Sequence, residues 1–316
     1  MEMKVKLNRL QASIGNVLIG KEESVEYIMV ALLAKGHVLM EDVPGTGKTM
    51  LAKSIAKSIE GSYKRVQFTP DVLPSDVTGI QYLNPKTREF ELRYGPVMTN
   101  VLLADEINRA TPRTQSSLLE LMEERQVTID GITKSLPAPF IVLATQNPIE
   151  SQGTFPLPEA QLDRFLLKIN VGYPSMREEQ MIMRAYREQE PIDQLIPVFT
   201  TDEIIHMQNE IKKVHLSDDI EQYILSIIHE TRQSKFIDVG VSPRGTIAFM
   251  KALQAYAWLQ NRDYVNPGDV KKLAQPVLAH RIVLSLDGEL RKTVQQIIHM
   301  ILDEIEVPVE AGAVRE

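Results

Sequence analysis

Over the first 173 residues, short unbroken apolar runs alternate with segments whose apolar positions recur every three or four residues. Val38 to Met40, Val101 to Ala104 and Phe140 to Thr145 are such runs, and they read as strands together with the more polar Lys64 to Phe68 and Leu166 to Val171. Between them lie helical patterns: Leu51, Ile55 and Ile59 before Gly61, and Leu118, Leu119, Leu121 and Met122 after the cap Thr111 and Pro112. Two further helices, over 4 to 18 and 22 to 34, precede the first strand. Strands separated by helices of this length predict an α/β fold with a parallel sheet covered on both faces. Two local hairpins interrupt the scheme, Ile80 to Leu83 with Glu89 to Arg93, and Gln126 to Ile129 with Ile132 to Leu136 around Asp130-Gly131. The stretch from Thr69 to Gly79 reads as turns throughout.

After Tyr173-Pro174 only helical periodicity remains, over 176–188, 202–214, 218–233, 243–259, 269–279 and 289–305. The pattern predicts two domains, residues 1–173 and an all-helical 174–316 with a frayed tail from Glu306. Met176, Met181 and Met183 are expected in the core of their helix.

Composition narrows the class. The 316 residues are 43% hydrophobic and 24% charged, as in an ordinary globular chain. With 35 Lys+Arg against 42 Asp+Glu the net charge is −7, which gives no bulk attraction to nucleic acid or anionic lipid. Cysteine is absent, which excludes disulfides, thiolate metal sites and cysteine nucleophiles and fits a reducing cytoplasm. The six histidines show no metal-ligand spacing, and no apolar run has the length of a membrane span, so a cytoplasmic protein without direct membrane insertion is expected.

The chemistry gathers where the first strand meets its helix, at Val43-Pro44-Gly45-Thr46-Gly47-Lys48-Thr49-Met50. Gly45 and Gly47 let consecutive N–H groups face one anion, Lys48 adds charge, Thr49 offers a hydroxyl to Mg²⁺, and the helix dipole adds to both. Asp42 stands where the usual pattern has its first glycine. The strand Val101 to Ala104 ends in Asp105-Glu106, which reads either as a magnesium-holding carboxylate followed by a water-activating one or as two solvated acids. Asn147, at the end of another buried run, is either a phosphate- or water-orienting amide or a turn residue before Pro148.

Together Glu41 to Thr49, Gln67-Phe68-Thr69-Pro70-Asp71, Leu73 to Gly79, Ala104 to Ala110, Ala144 to Pro148 and Glu159 to Phe165 resemble the MoxR family of AAA+ ATPases, in order, over about residues 5 to 305. The resemblance implies a P-loop αβα domain with a helical lid, ATP and Mg²⁺ as ligands, and a homo-oligomer, usually a hexameric ring. It implies a helix-2 insert at about 79–95 and a pre-sensor-1 hairpin at about 126–137. It also implies a chaperone-like role in maturing or inserting metal into client proteins beside a von Willebrand factor A domain partner. By matching motif it assigns phosphate and metal binding to Lys48 and Thr49, metal support to Asp105, water activation to Glu106 and the first sensor to Asn147. Arg164 matches an arginine finger acting on a neighbouring subunit, and Arg244 a second sensor. On chemistry alone either arginine suits a structural carboxylate equally well. Gly20-Lys21 falls in the adenine-side segment. Related proteins include magnesium-chelatase ATPase subunits and DNA motors, but the two hairpins carry too little positive charge for phosphate-backbone binding.

Overall fold

The computed structural model describes residues 6, 9–10, 13–15, 17–41, 45–147, 153–187 and 190–308. Two compact units divide the chain, Met1–Gln208 and Asn209–Glu316. The predicted change of character at 174 and this division do not coincide, because segments after 174 pack back onto the first unit. The N–H groups of Val198 and Phe199 both donate to the Ser58 carbonyl, at 2.9 and 3.1 Å, and Gln208 donates to Leu32 O at 2.7 Å.

The first unit is built on a five-stranded parallel sheet in the order β2-β5-β8-β1-β9. Its strands are β1 (Val38–Glu41), β2 (Tyr63–Gln67), β5 (Val101–Asp105), β8 (Ile141–Gln146) and β9 (Leu167–Ile169). The three inner strands are buried almost end to end, as a sheet covered on both faces requires. Helix α1 (Glu22–Leu33) leads into β1, α2 (Lys48–Ser58) follows it, and α4 (Pro112–Glu124) follows β5. One cluster packs Leu102 and Val142 of the sheet with Leu118, Leu119 and Met122 of α4 and with Phe68 and Phe165.

Both hairpins form as the alternation and turn chemistry predict. Strands β3 (Gly79–Leu83) and β4 (Phe90–Tyr94) pair antiparallel with Leu83 opposite Phe90, and β6 (Gln126–Ile129) pairs with β7 (Ile132–Ser135) across Asp130-Gly131. Segment 69–79 is less irregular than its turn residues suggest. Residues Pro74–Thr78 form a short helix α3, whose first turn is fixed by the Leu73 N–H donating to Asp76 Oδ2 at 2.9 Å. The methionines are a clear correction. On helix α6 (Met176–Ala185) no residue is buried, and Met176 and Met183 are 88% and 70% exposed, so the apolar positions do not face a core.

The second unit is helical, with α8 (Asp218–Gln233), α9 (Pro243–Leu259), α10 (Pro267–Leu278), α11 (Leu286–Arg291) and α12 (Val294–Glu304). Serine, asparagine or threonine caps open each of these five: Ser217, Ser242, Asn266, Ser285 and Thr293. The helix predicted over 289–305 is two, since Lys292 is extended and Thr293 caps a new start. The helix predicted over 202–214 is α7 (Thr201–Glu210) followed by a 3₁₀ turn, Ile211–Lys213. A two-stranded antiparallel pair, β10 (Ile237–Val239) with β11 (Val283–Leu284), adds to the helices. The tail from 309 lies outside the described residues.

One buried group ties α4 to the sheet and gives the first unit a pH dependence. His37 Nδ1 accepts the Val142 N–H at 2.9 Å, which leaves Nε2 to donate to Met122 O at 3.0 Å, so the ring is neutral. Burial, reinforced by the Arg125 guanidinium, lowers its pKa from 6.5 to about 3. The unfolded chain therefore takes up a proton near 6.5 that the folded one refuses until about 3. The stability contribution is full above 6.5 and declines as pH falls through that window. Denaturant unfolding at pH 6 and pH 5 should show wild type losing about 1 kcal/mol more than His37→Gln over that step. Equal losses would contradict the neutral imidazole.

Candidate active site

Strand order explains how residues distant in sequence meet. Strands β5, β8 and β1 are neighbours and parallel, so their carboxyl ends lie side by side at about 4.8 Å spacing. Asp105 ends β5, Asn147 follows β8, and the loop into α2 follows β1. A cavity of about 490 Å³ opens there, lined by Gly45, Gly47, Lys48, Thr49, Met50, Asp105, Glu106 and Asn147. That volume suits a nucleotide-sized ligand.

The loop takes its shape from two glycines. Gly45 and Gly47 have φ of 87° and 91°, a region that costs L residues with a side chain. Gly47 caps α2 without a side-chain acceptor, which leaves the first N–H groups of the helix to face a ligand. Thr46, between them, is buried. Val43 and Pro44, with Asp42, lie outside the described residues.

The two acids are held from opposite sides. Thr145, buried at the end of β8, donates its hydroxyl to Asp105 Oδ1 at 2.6 Å and accepts the Glu106 N–H at 2.8 Å. Glu106 has φ 57° and ψ 49°, a left-handed conformation that costs a residue with a side chain. Arg109 Nη1 pairs with Glu106 Oε2 at 3.0 Å, and Arg65 on β2 pairs with Asp105 Oδ2 at 2.6 Å. These acids are not simply solvated. Beneath the loop, Glu41 accepts from Gln146 Nε2 and pairs with Lys168 Nζ, each at 2.7 Å, which laces the ends of β8, β1 and β9 together.

The remaining assignments fall elsewhere. Arg164 is not among the residues lining the cavity; its Nε pairs with Glu123 Oε2 at 3.3 Å. Arg244 belongs to the second unit, exposed in the first turn of α9 beside the cap Ser242. A cation there opposes the helix dipole, so helix stability does not account for it. Lys21 is buried, and its Nζ donates to Val171 O and Gly172 O at 2.8 and 2.7 Å, which commits the amino group to a structural tie. Sequence reasoning missed Lys53, Arg65, Gln67, Thr145 and Tyr186 as cavity residues. Period-two alternation puts Arg65 and Gln67 on one face of β2, but that this face carries Asp105 follows only from the β2–β5 pairing, in which Gln67 is opposite Asp105. Tyr186 carried no such signal. Among the described residues no group of three or more His, Cys, Asp or Glu gathers as a metal site, and no helix is long and apolar enough to cross a membrane.

Comparison with known proteins agrees with this geometry. Residues 37–167 match the model described as ATPase family associated with various cellular activities (AAA), and residues 229–301 match an AAA lid domain. The chain is 39% identical to Chaperone MoxR1 of Mycobacterium tuberculosis over 96% of this chain and 82% of that one. It is 51% identical to the uncharacterized protein YeaC of Bacillus subtilis over 98% and 97%. A crystal structure of a candidate ATPase from Cytophaga hutchinsonii superimposes with a TM-score of 0.90 at 37% identity, covering 97% of this chain and 96% of that one. A glycine loop, a strand-end acid pair and Asn147 at the ends of three adjacent strands, with near full-length likeness to MoxR proteins, make this chain a member of the MoxR family of AAA+ ATPases.

Proposed function

We propose that this ATPase hydrolyses ATP in the cavity at the ends of β5, β8 and β1 and uses the cycle to remodel client proteins. The observation that carries the reading is the Asp105–Thr145–Glu106 bridge opening onto the same cavity as Lys48 and Thr49. Lys48 and the N–H groups from Gly45 to Met50 bind the phosphates. Val43 and Pro44 are assigned to nucleotide binding by their place in the sequence motif alone. Glu106 orients the attacking water and accepts its proton, and Asn147 orients the water or the terminal phosphate. Thr49 and Asp105 fit magnesium, since both present oxygen to one cavity, the donor type a hard divalent cation takes. A magnesium ion held there with ATP would neutralise phosphate charge.

Arg164 and Arg244 serve as arginine finger and second sensor. The position of Arg164 away from the cavity lining supports action on a neighbour's nucleotide, in a homo-oligomeric, hexameric ring. The hairpins β3–β4 and β6–β7 serve as helix-2 insert and pre-sensor-1 hairpin. At the tip of the first, Leu83 and Phe90 face each other across the strands at 55% and 68% exposure. An apolar tip suits a protein client better than a nucleic-acid backbone. The name of the mycobacterial relative supports a chaperone role. A von Willebrand factor A domain partner, client maturation or metal insertion, and a cytoplasmic setting complete the reading.

Lys48→Ala should abolish detectable binding of a fluorescent ATP analogue; retained affinity would remove the loop from the site. Thr145→Val strips partners from both Asp105 Oδ1 and the Glu106 N–H and should lower turnover about 10- to 100-fold, with Thr145→Ser restoring much of it. Unchanged turnover in the valine variant would contradict the bridge. For the ring, hydrolysis per subunit should rise with protein concentration, and Arg164→Ala chains mixed into wild type should poison activity beyond simple dilution. Flat, merely diluted activity would mean that each chain works alone.

A further inference from the structure

Asp105 is read above as the carboxylate that supports magnesium, and both of its oxygens are already engaged. Thr145 holds Oδ1 at 2.6 Å from inside the protein. Oδ2, on the cavity side, receives two N–H groups from Arg65, Nη2 at 2.6 Å and Nε at 3.1 Å. The guanidinium is steadied in turn by Gln67, whose Oε1 accepts from Nη2 at 2.6 Å. This follows from the strand register. Arg65, Gln67 and Asp105 lie on one face of neighbouring parallel strands, and Gln67 is directly opposite Asp105. Since β2 is an edge strand, the arginine is 46% exposed, whereas the aspartate side chain is 14% exposed. The two ends of this pair are therefore unequal: the carboxylate is fixed, and the guanidinium can leave into water at little cost.

We propose that Arg65 is a positioning residue that competes with the divalent cation for the outer oxygen of Asp105 and so sets how strongly nucleotide binding depends on magnesium. Without the ion, Arg65 neutralises a carboxylate that would otherwise repel the incoming phosphates. With the ion, the same charge balance no longer requires the guanidinium, which is released into the cavity it lines. Metal-free nucleotide binding is thereby supported and metal binding is weakened, both by the strength of one ion pair. The proposal rests on the assignment of Asp105 to the metal site.

The test compares the full-length wild type with Arg65→Met, which keeps the stem and removes the charge, and Arg65→Lys, which keeps the charge and removes the fork. Mn²⁺ binding to each protein–ADP complex is read from the free-ion electron paramagnetic resonance signal, and fluorescent ADP affinity is measured in EDTA and in excess Mg²⁺. Arg65→Met should bind Mn²⁺ about threefold more tightly, the scale of a half-exposed ion pair. Its ADP affinity in EDTA should fall, and Arg65→Lys should lie between. Mn²⁺ affinity and the EDTA-to-Mg²⁺ ratio unchanged from wild type, in a protein that binds ADP normally, would overturn the proposal and leave the nucleotide site standing. Wild type that binds no ADP under either condition would overturn the underlying site assignment as well. Should Arg65→Met fail to fold by its thermal transition, the Arg65→Lys comparison carries the same two readouts.

Discussion

A single buried hydroxyl holds the geometry of the site together. Thr145 donates to Asp105 and accepts from the backbone N–H of Glu106, so one atom fixes both the side chain of one acid and the main chain of the next. It can do so only because β8 lies between β5 and β1. In that order the end of β8 reaches β5 on one side and, through Gln146 and Glu41, β1 on the other. A shift of one residue in any of these parallel registers would turn the polar ends toward the opposite face. The buried apolar runs of the three strands prevent such a shift, and in this way core packing becomes active-site geometry.

Charge is the second organising constraint. Two adjacent acids at the mouth of a cavity repel each other and any phosphate that enters. The fold answers with Arg65 on Asp105 and Arg109 on Glu106, while Lys48 stands across the cavity on α2. Both arginines are partly exposed, so these pairs are weak ones. The left-handed backbone of Glu106 belongs to the same account, since its strain is carried by the Thr145 hydrogen bond and the turn that follows.

Much of this was legible in the residues themselves. Gly45 and Gly47 announced a loop with N–H groups facing one anion, the apolar runs announced inner strands, and Asp130-Gly131 announced a hairpin. Less legible was whatever depends on tertiary neighbours. Met176 and Met183, seven residues apart, share a side of the helix, yet α6 finds no core to face, because spacing reports which residues share a side and not what covers it. Lys292 interrupts a helix whose apolar pattern continues, and Thr293 caps the new start by accepting the Gln296 N–H. Arg65 and Thr145 gain their roles only once strand order is known, and strand order is a long-range property that no local window contains.

The claim at the centre is that Glu106 activates water in a cavity otherwise complete for nucleotide binding. The most direct measurement is the chemical identity of nucleotide retained by Glu106→Gln after incubation with Mg²⁺ and ATP, read by chromatography of the denatured complex. The account predicts ATP, bound in near-stoichiometric amount and uncleaved. Recovery of ADP at the wild-type rate would show that another group activates the water and would contradict the assignment.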